Sequence, residues 1–315
     1  MKIIDTHCDA LLKLWRDTSK SFADDVEIDT NAMRLKAGQV NVQVFAIWVP
    51  ETTPHEVKFR VVQEQINVFH ERVLAVPGMI HIRSLPEIEQ LQPDQIGAVL
   101  SLEGWTLLGP DLGKLDWLYE QGICSIGLTW NQANLCADGI GEERGAGLTS
   151  FGKQVIERNN QAKVLNDVSH LSLRAFWDVI ERSTCTIASH SNAYTVCQHE
   201  RNLRDDQIDA LIENNSFIGL VFFPTFIKDE SGATIADLLR HFDYVASRGG
   251  VRNIGFGSDF DGISKHVTRL EHAGRYDQLI NELLKHYREE EVNGFCQTNF
   301  IDKVVRHQMF QEGSR

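Results

Sequence analysis

Eight short, apolar, β-rich segments, separated along most of the chain by helix-like stretches, constrain the fold of these 315 residues more than any other feature. They fall near residues 2–7, 41–49, 97–102, 123–129, 163–168, 185–190, 217–223 and 254–258. Between them apolar residues recur at helical spacing, as with Val57, Val61, Ile66, Val68 and Phe69 in 56–74, or Leu112, Leu115, Leu118 and Tyr119 in 111–121. The stretches 172–182, around Phe176, Val179 and Ile180, and 204–214, around Ile208, Leu211 and Ile212, read the same way. Alternating β and α elements favour a parallel sheet covered by helices, because parallel strands need a crossover long enough to hold one. Eight strands fit an α/β fold of the (β/α)8 TIM-barrel type, whose catalytic groups sit at the C-terminal ends of the strands. The competitor is an open doubly wound sheet, but its nucleotide-binding versions carry a glycine-rich loop after the first strand. Here that strand ends in Thr6-His7-Cys8-Asp9.

No Pro- or Ser-rich linker, repeat or low-complexity tract divides the chain, so residues 1–315 are expected to form a single barrel domain. Two structural helices, 277–287 and 289–305, are expected as a C-terminal addition within 277–310. The stretch 138–147 is too dense in glycine for a helix and is expected to loop over the barrel mouth. A net charge of −13 argues against nucleic acid or an anionic membrane as partner, since both reward clustered Lys and Arg. No run of about 20 apolar residues exists and the first strand begins almost at Met1, so the chain reads as cytoplasmic without a signal peptide. The six cysteines contain no C-x-x-C pair and are expected to be reduced core residues.

Polar residues of metal-ligand type cluster where the apolar strands stop. His7 and Asp9 alternate around Cys8, which in a strand would place them on one face. Ser101-Leu102-Glu103-Gly104, Asp167-Val168-Ser169-His170, Ala188-Ser189-His190-Ser191 and Gly257-Ser258-Asp259-Phe260-Asp261-Gly262 repeat the pattern. Imidazole and carboxylate donors without thiolates suit zinc, with manganese, cobalt or iron as substitutes. Five such residues, His7, Asp9, Glu103, His170 and His190, exceed what one open catalytic zinc takes from protein, so two divalent ions bridged by Glu103 is the economical reading. Asp259 is placed to carry a proton from water to a leaving amine, or to act as a sixth ligand, with Asp261 a competitor or simply a turn-former. The other nine of the twelve histidines lie mostly among charged or helical residues and read as solvated surface. Phe222, Phe223 and Phe226 are candidates for an apolar pocket, with a core role favoured for at least two of them.

These motifs resemble the membrane (renal) dipeptidase family, in a bacterial-type member, a branch of the amidohydrolase superfamily of metal-dependent barrel hydrolases. The likeness runs through nearly the whole chain and is close over Ser189-His190-Ser-Asn-Ala-Tyr-Thr-Val-Cys-Gln-His-Glu-Arg201-Asn202. It implies a TIM barrel, metal binding by the same five residues, the catalytic aspartate at Asp259, and an arginine at Arg201 that grips the substrate's C-terminal carboxylate. A bidentate guanidinium clamp would restrict substrates to very short peptides with a free carboxylate. The implied reaction is dipeptide hydrolysis by a hydroxide shared between two metal ions, extending to dipeptides with a C-terminal D-residue, and relatives of this kind form homodimers. One position departs from the mammalian pattern: where those members carry a histidine after the Leu-Thr of the fourth strand, this chain has Trp130 and Asn131, which become the candidates for contact with the scissile carbonyl. Two other readings stay open, an amidohydrolase acting on another small amide, lactam or N-acyl-amino acid, and a catalytically silent metal-binding barrel.

Overall fold

The computed structural model describes residues 1–228 and 232–306. Among the described residues there are nine parallel strands: β1 (Ile3–Cys8), β2 (Val40–Ile47), β3 (Met79–Ile82), β4 (Ile96–Glu103), β5 (Ile123–Gly127), β6 (Leu165–Asp167), β7 (Thr186–Ala188), β8 (Phe217–Leu220) and β9 (Ile254–Phe256). Eight of them close a barrel in the order β1-β2-β4-β5-β6-β7-β8-β9, with β9 returning to β1 through Asp5 and Phe256. These are the eight expected segments. The ninth, β3, pairs with the lower half of β4 at Ile96–Val99, while the upper half of β4 pairs with β5. Its Met79-Ile80-His81-Ile82 is only four residues long and half-exposed at the middle, too short a pattern to stand out in the sequence.

The barrel strands are buried almost throughout, on both faces, as expected for a parallel sheet wrapped by helices. The expected helices appear at His55–Val68, Gly113–Glu120, Leu173–Arg182 and Asp205–Glu213. Side-chain oxygens of Ser172 and Thr149 cap the helices Leu173–Arg182 and Ser150–Ala162 by accepting N–H bonds from Ala175 and Gly152. The stretch 138–147 is a loop, and its Ile140 N–H donates to the His170 carbonyl at 2.7 Å, which holds it beside the C-terminal ends of the strands.

The C-terminal addition has the expected two helices, Tyr276–Leu283 and a second beginning at Glu289–Asn293 that continues through wide turns at Gly294–Thr298 and Ile301–Val305. Its Phe300, Ile301, Val304 and Val305 join Ile4, Val42, Val44, Val99, Cys124, Leu165, Ile187 and Phe217, which come from seven of the barrel strands. The last helix thus closes the floor of the barrel with apolar side chains, which leaves the opposite end for polar chemistry. All six cysteines are reduced thiols, and all but Cys185 are buried. Among the described residues no helix is long and apolar enough to cross a membrane.

Candidate metal and substrate site

His7, Asp9, Glu103, His170, His190 and Asp259 come from five strand ends and meet at the barrel mouth. The His7 Nε2 atom lies 3.5 Å from Asp9 Oδ2, 3.6 Å from Glu103 Oε2 and 3.9 Å from Asp259 Oδ1. On the other side, Glu103 Oε1 is 2.9 Å from His170 Nε2 and 3.9 Å from His190 Nε2, and the two histidine Nε2 atoms are 2.8 Å apart. The two oxygens of Glu103 therefore face different sets of donors. Potential ligand atoms fall within 4.8 Å of one another in two groups, His7–Glu103–His190 and His7–Asp9–Asp259.

The convergence of His7 and Asp9 has a different origin from strand alternation. The register of β1 against β2 slips between Asp5 and Cys8, and β1 ends at Cys8. Asp9 has left the extended region at φ −109°, ψ 25°, and heads the helix Ala10–Arg16 without capping it, so its carboxylate stays free to face His7. Irregular strand ends of this kind re-aim side chains beside sites. His170 and Asp259 sit at φ +69° and +62°, in the left-handed region that His and Asp tolerate better than most residues. Gly262 completes the lining: a Cβ there would run into Asp9 Oδ2 and Asp259 Oδ1.

The donor set fits divalent cations. The His7 Nε2 atom is buried with no hydrogen-bond partner, amid three carboxylates. Burial opposes charge on His7, but the close Asp9 and Glu103 carboxylates overcome it and push the ring well up. Burial likewise raises Asp9, and raises Asp259 strongly with the neighbouring Asp9 and Glu103 carboxylates adding to it. Burial would raise Glu103 too, yet His170 and His7 pull it far down. Burial and the Arg201 charge hold His170 down to about 4, and burial, with the His7 charge beside it, lowers His190 strongly. Three carboxylates converging with two imidazoles that resist protonation, His170 and His190, form a donor set suited to divalent cations.

Arg201 is 6% exposed, and its Nη2 donates to the His190 carbonyl at 3.2 Å while its Nε has no partner. Burial holds the guanidinium down to about 10 against the pull of Asp259, Glu103 and Asp167. Phe226 lies under it with 5.6 Å from Cζ to the ring centroid, whereas Phe222 is in the core and Phe223 packs half-buried against it. Asn131 Oδ1 is 2.8 Å from His170 Nδ1, so this side chain braces a site histidine. The Trp130 ring lies between His170, with centroids 6.1 Å apart, and Trp48 at 5.2 Å.

Other polar and aromatic side chains near these motifs lie elsewhere. Asp261 turns away: its fully buried carboxylate accepts from Asp29 N, Thr30 N, Thr30 Oγ1 and Lys13 Nζ at 2.6–3.1 Å, pinning a loop beside the mouth. Trp105 is a core residue whose N–H bonds the Gly109 carbonyl. Of the histidines read as surface, His241 is fully buried, with Nδ1 accepting from Ala193 N and Nε2 donating to the Ile227 carbonyl, because a helical histidine on the inner face can satisfy both nitrogens with backbone. His307 lies outside the described residues. Missed in the sequence were Asp5, which accepts from Tyr276 and from Ser258, the residue before Asp259; Trp48; Gly262; and Asp167, which is itself a polar residue at a strand end.

A family model for membrane dipeptidases, peptidase family M19, matches residues 1–313. The chain belongs to this family. It is 31% identical over 268 residues to the dipeptidase aclJ of Aspergillus oryzae, a match covering 80% of this chain and 63% of that protein. Dipeptidase 3 of Rattus norvegicus is 28% identical, with 95% of this chain and 64% of the rat protein covered. The chain thus spans less than two thirds of the length of these two relatives. Among solved structures, the family M19 dipeptidase AC is 26% identical with a TM-score of 0.91, covering 98% of this chain and 99% of that one. A Rhodobacter sphaeroides metallopeptidase liganded with a phosphinate mimic of the dipeptide L-Ala-D-Ala shares the fold at a TM-score of 0.90, with 24% identity and 98% and 99% coverage. Family membership covers the same strand ends that form the site.

Proposed function

We propose that this family member hydrolyses dipeptides, including those with a D-residue at the C-terminal side, and needs two divalent cations, zinc foremost. His7, Asp9, Glu103, His170 and His190 would hold the ions. The observation that carries this reading is the split of Glu103, with Oε2 turned to His7 and Oε1 to His170 and His190, as a bridging carboxylate requires. When bound, such cations supply a water of lowered pKa and polarise a carbonyl.

The chain's own groups then set the substrate and the proton path. Arg201 presents a buried guanidinium with an unpaired Nε, a suitable partner for the C-terminal carboxylate of a dipeptide. Asp259, its side chain 16% exposed where the other site carboxylates are under 10%, is the acid best placed to take a proton from water and return it to the leaving amine. Trp130 and Asn131 border the position of the scissile group, with Trp130 packed against Trp48 as an aromatic wall beside it. The phosphinate dipeptide mimic carried by the Rhodobacter neighbour supports both the substrate class and the D-configuration.

A panel of L,L-, L,D- and D,L-dipeptides alongside N-acyl-amino acids, run on wild type and Asp259→Asn, tests the reading. Turnover of dipeptides with a loss of at least about 100-fold in Asp259→Asn is expected. Hydrolysis confined to N-acyl-amino acids would replace the substrate, and full activity in Asp259→Asn would remove the proton carrier.

A further inference from the structure

Asp167, at the end of β6, makes two kinds of contact. Its Oδ1 accepts the backbone N–H of Ser169 and that of Ser189, each at 3.0 Å, which ties the ends of β6 and β7 together. Its Oδ2 accepts the Ser189 hydroxyl in a short contact, and the same Ser189 Oγ is 2.7 Å from His190 Nδ1. A hydroxyl has one proton, and a carboxylate only accepts. With that proton given to Asp167, Ser189 Oγ has lone pairs alone to offer the imidazole. His190 Nδ1 must then carry the ring proton, leaving His190 Nε2 bare, and this is the nitrogen that points at Glu103 and His170.

We infer that Asp167 and Ser189 are positioning residues that fix the tautomer of His190 and so make its Nε2 a lone pair for a cation. The inference rests on the reading that His190 holds a metal ion, and it adds two residues that act on the site without entering it. Ser169 reinforces them, since its Oγ accepts the His190 N–H at 3.2 Å and lies 3.4 Å from Ser189 Oγ. Partners behind a metal-binding histidine set both its tautomer and its basicity.

The arrangement dictates what a change of one functional group does. In Asp167→Asn the single side-chain oxygen is claimed by the two backbone N–H groups now on Oδ1, so the amide nitrogen must take the place of Oδ2. It then donates to Ser189 Oγ, the hydroxyl proton turns to His190 Nδ1, and the ring proton moves to Nε2. Shape is kept and polarity is reversed. Adding Ser189→Ala removes the reversed donor and frees the ring to take either tautomer.

The test uses full-length metal-free protein for nitrogen-15 NMR of the histidine rings, and competition with a chromophoric chelator for zinc affinity. Wild type should show His190 protonated at Nδ1, and Asp167→Asn at Nε2. Zinc affinity at the tightest site should fall about 100-fold in Asp167→Asn and about 10-fold in Ser189→Ala. It should recover in part in the double variant relative to Asp167→Asn, and stay near wild type in Ser189→Thr. Unchanged thermal unfolding separates these effects from a loss of fold. An Nδ1 proton on His190 in Asp167→Asn, or zinc affinity within about twofold of wild type, overturns the inference. If wild type and His190→Ala bind zinc equally poorly, the metal reading is what fails, and the ring tautomers alone decide whether Asp167 and Ser189 set the proton.

Discussion

Replacing Arg201 with alanine removes the one group assigned to recognise a free C-terminus, and the structure sets the size of the effect. The guanidinium is 6% exposed, its Nε has no protein partner, and it remains protonated at neutral pH because burial holds it only down to about 10. Truncating one member of a buried, hydrogen-bonded charge pair costs about 2–5 kcal/mol. Lost from transition-state binding, that is roughly a 30- to 5,000-fold fall in kcat/KM. The assay compares a dipeptide with the same dipeptide as its C-terminal amide. Wild type should strongly prefer the acid. Arg201→Ala should lose most of its activity on the acid and little on the amide, so the preference collapses, while Arg201→Lys keeps the charge without the fork and recovers only part of it. Because His190 also uses Arg201 through its carbonyl, a general loss of activity is uninformative, and the ratio carries the test. An acid-to-amide preference in Arg201→Ala equal to that of wild type would refute the carboxylate clamp.

Three further outcomes follow from particular contacts. Gly262→Ala places a Cβ against Asp9 Oδ2 and Asp259 Oδ1 and should lower kcat/KM by about 100-fold with a nearly unchanged melting temperature; equal activity would mean the two carboxylates need not approach so closely. Phe300→Ala, which empties part of the barrel floor against Phe217, should cost about 3–5 kcal/mol in denaturant unfolding, and a loss under about 1 kcal/mol would show that the last helix does not seal the barrel. Burial holds His241 down to about 4 from an ordinary value of 6.5, so between those pH values the unfolded chain binds the extra proton, and stability falls as pH drops through that window by about 3 kcal/mol. His241→Gln should flatten this fall between about pH 7.5 and 4.5, and an equal pH dependence in both proteins would exclude His241 as its source.

The eight barrel strands and their helices were legible because apolar runs with helical spacing between them leave few alternatives, and the end of each run marked where polar groups would gather. β3 was not legible, since four residues paired to half a strand carry no periodicity of their own. Strand alternation is an incomplete reason for His7 and Asp9 to face one another, because a register slip and a non-extended Asp9 bring their side chains together. Asp261 shows the limit of spacing: two residues from Asp259, it is turned to Lys13 and Thr30 by a left-handed backbone that no pattern announces. Asp167 and Ser189 stood inside the quoted histidine motifs, but their bearing on His190 depends on two strands meeting in space. His241 hid among helical residues because a buried histidine with both nitrogens on backbone has the same local sequence as an exposed one.

The central claim is a pair of cations joined by Glu103 in a site that hydrolyses dipeptides. It is tested most directly by stripping the protein with a chelator and titrating zinc back while following hydrolysis of L-Ala-D-Ala and the bound metal per chain. The account predicts no turnover in the stripped protein, full activity at two equivalents, and a Glu103→Gln variant that fails to bind the second ion at those concentrations. Turnover in the stripped protein, or full activity in Glu103→Gln with a single ion bound, would contradict it.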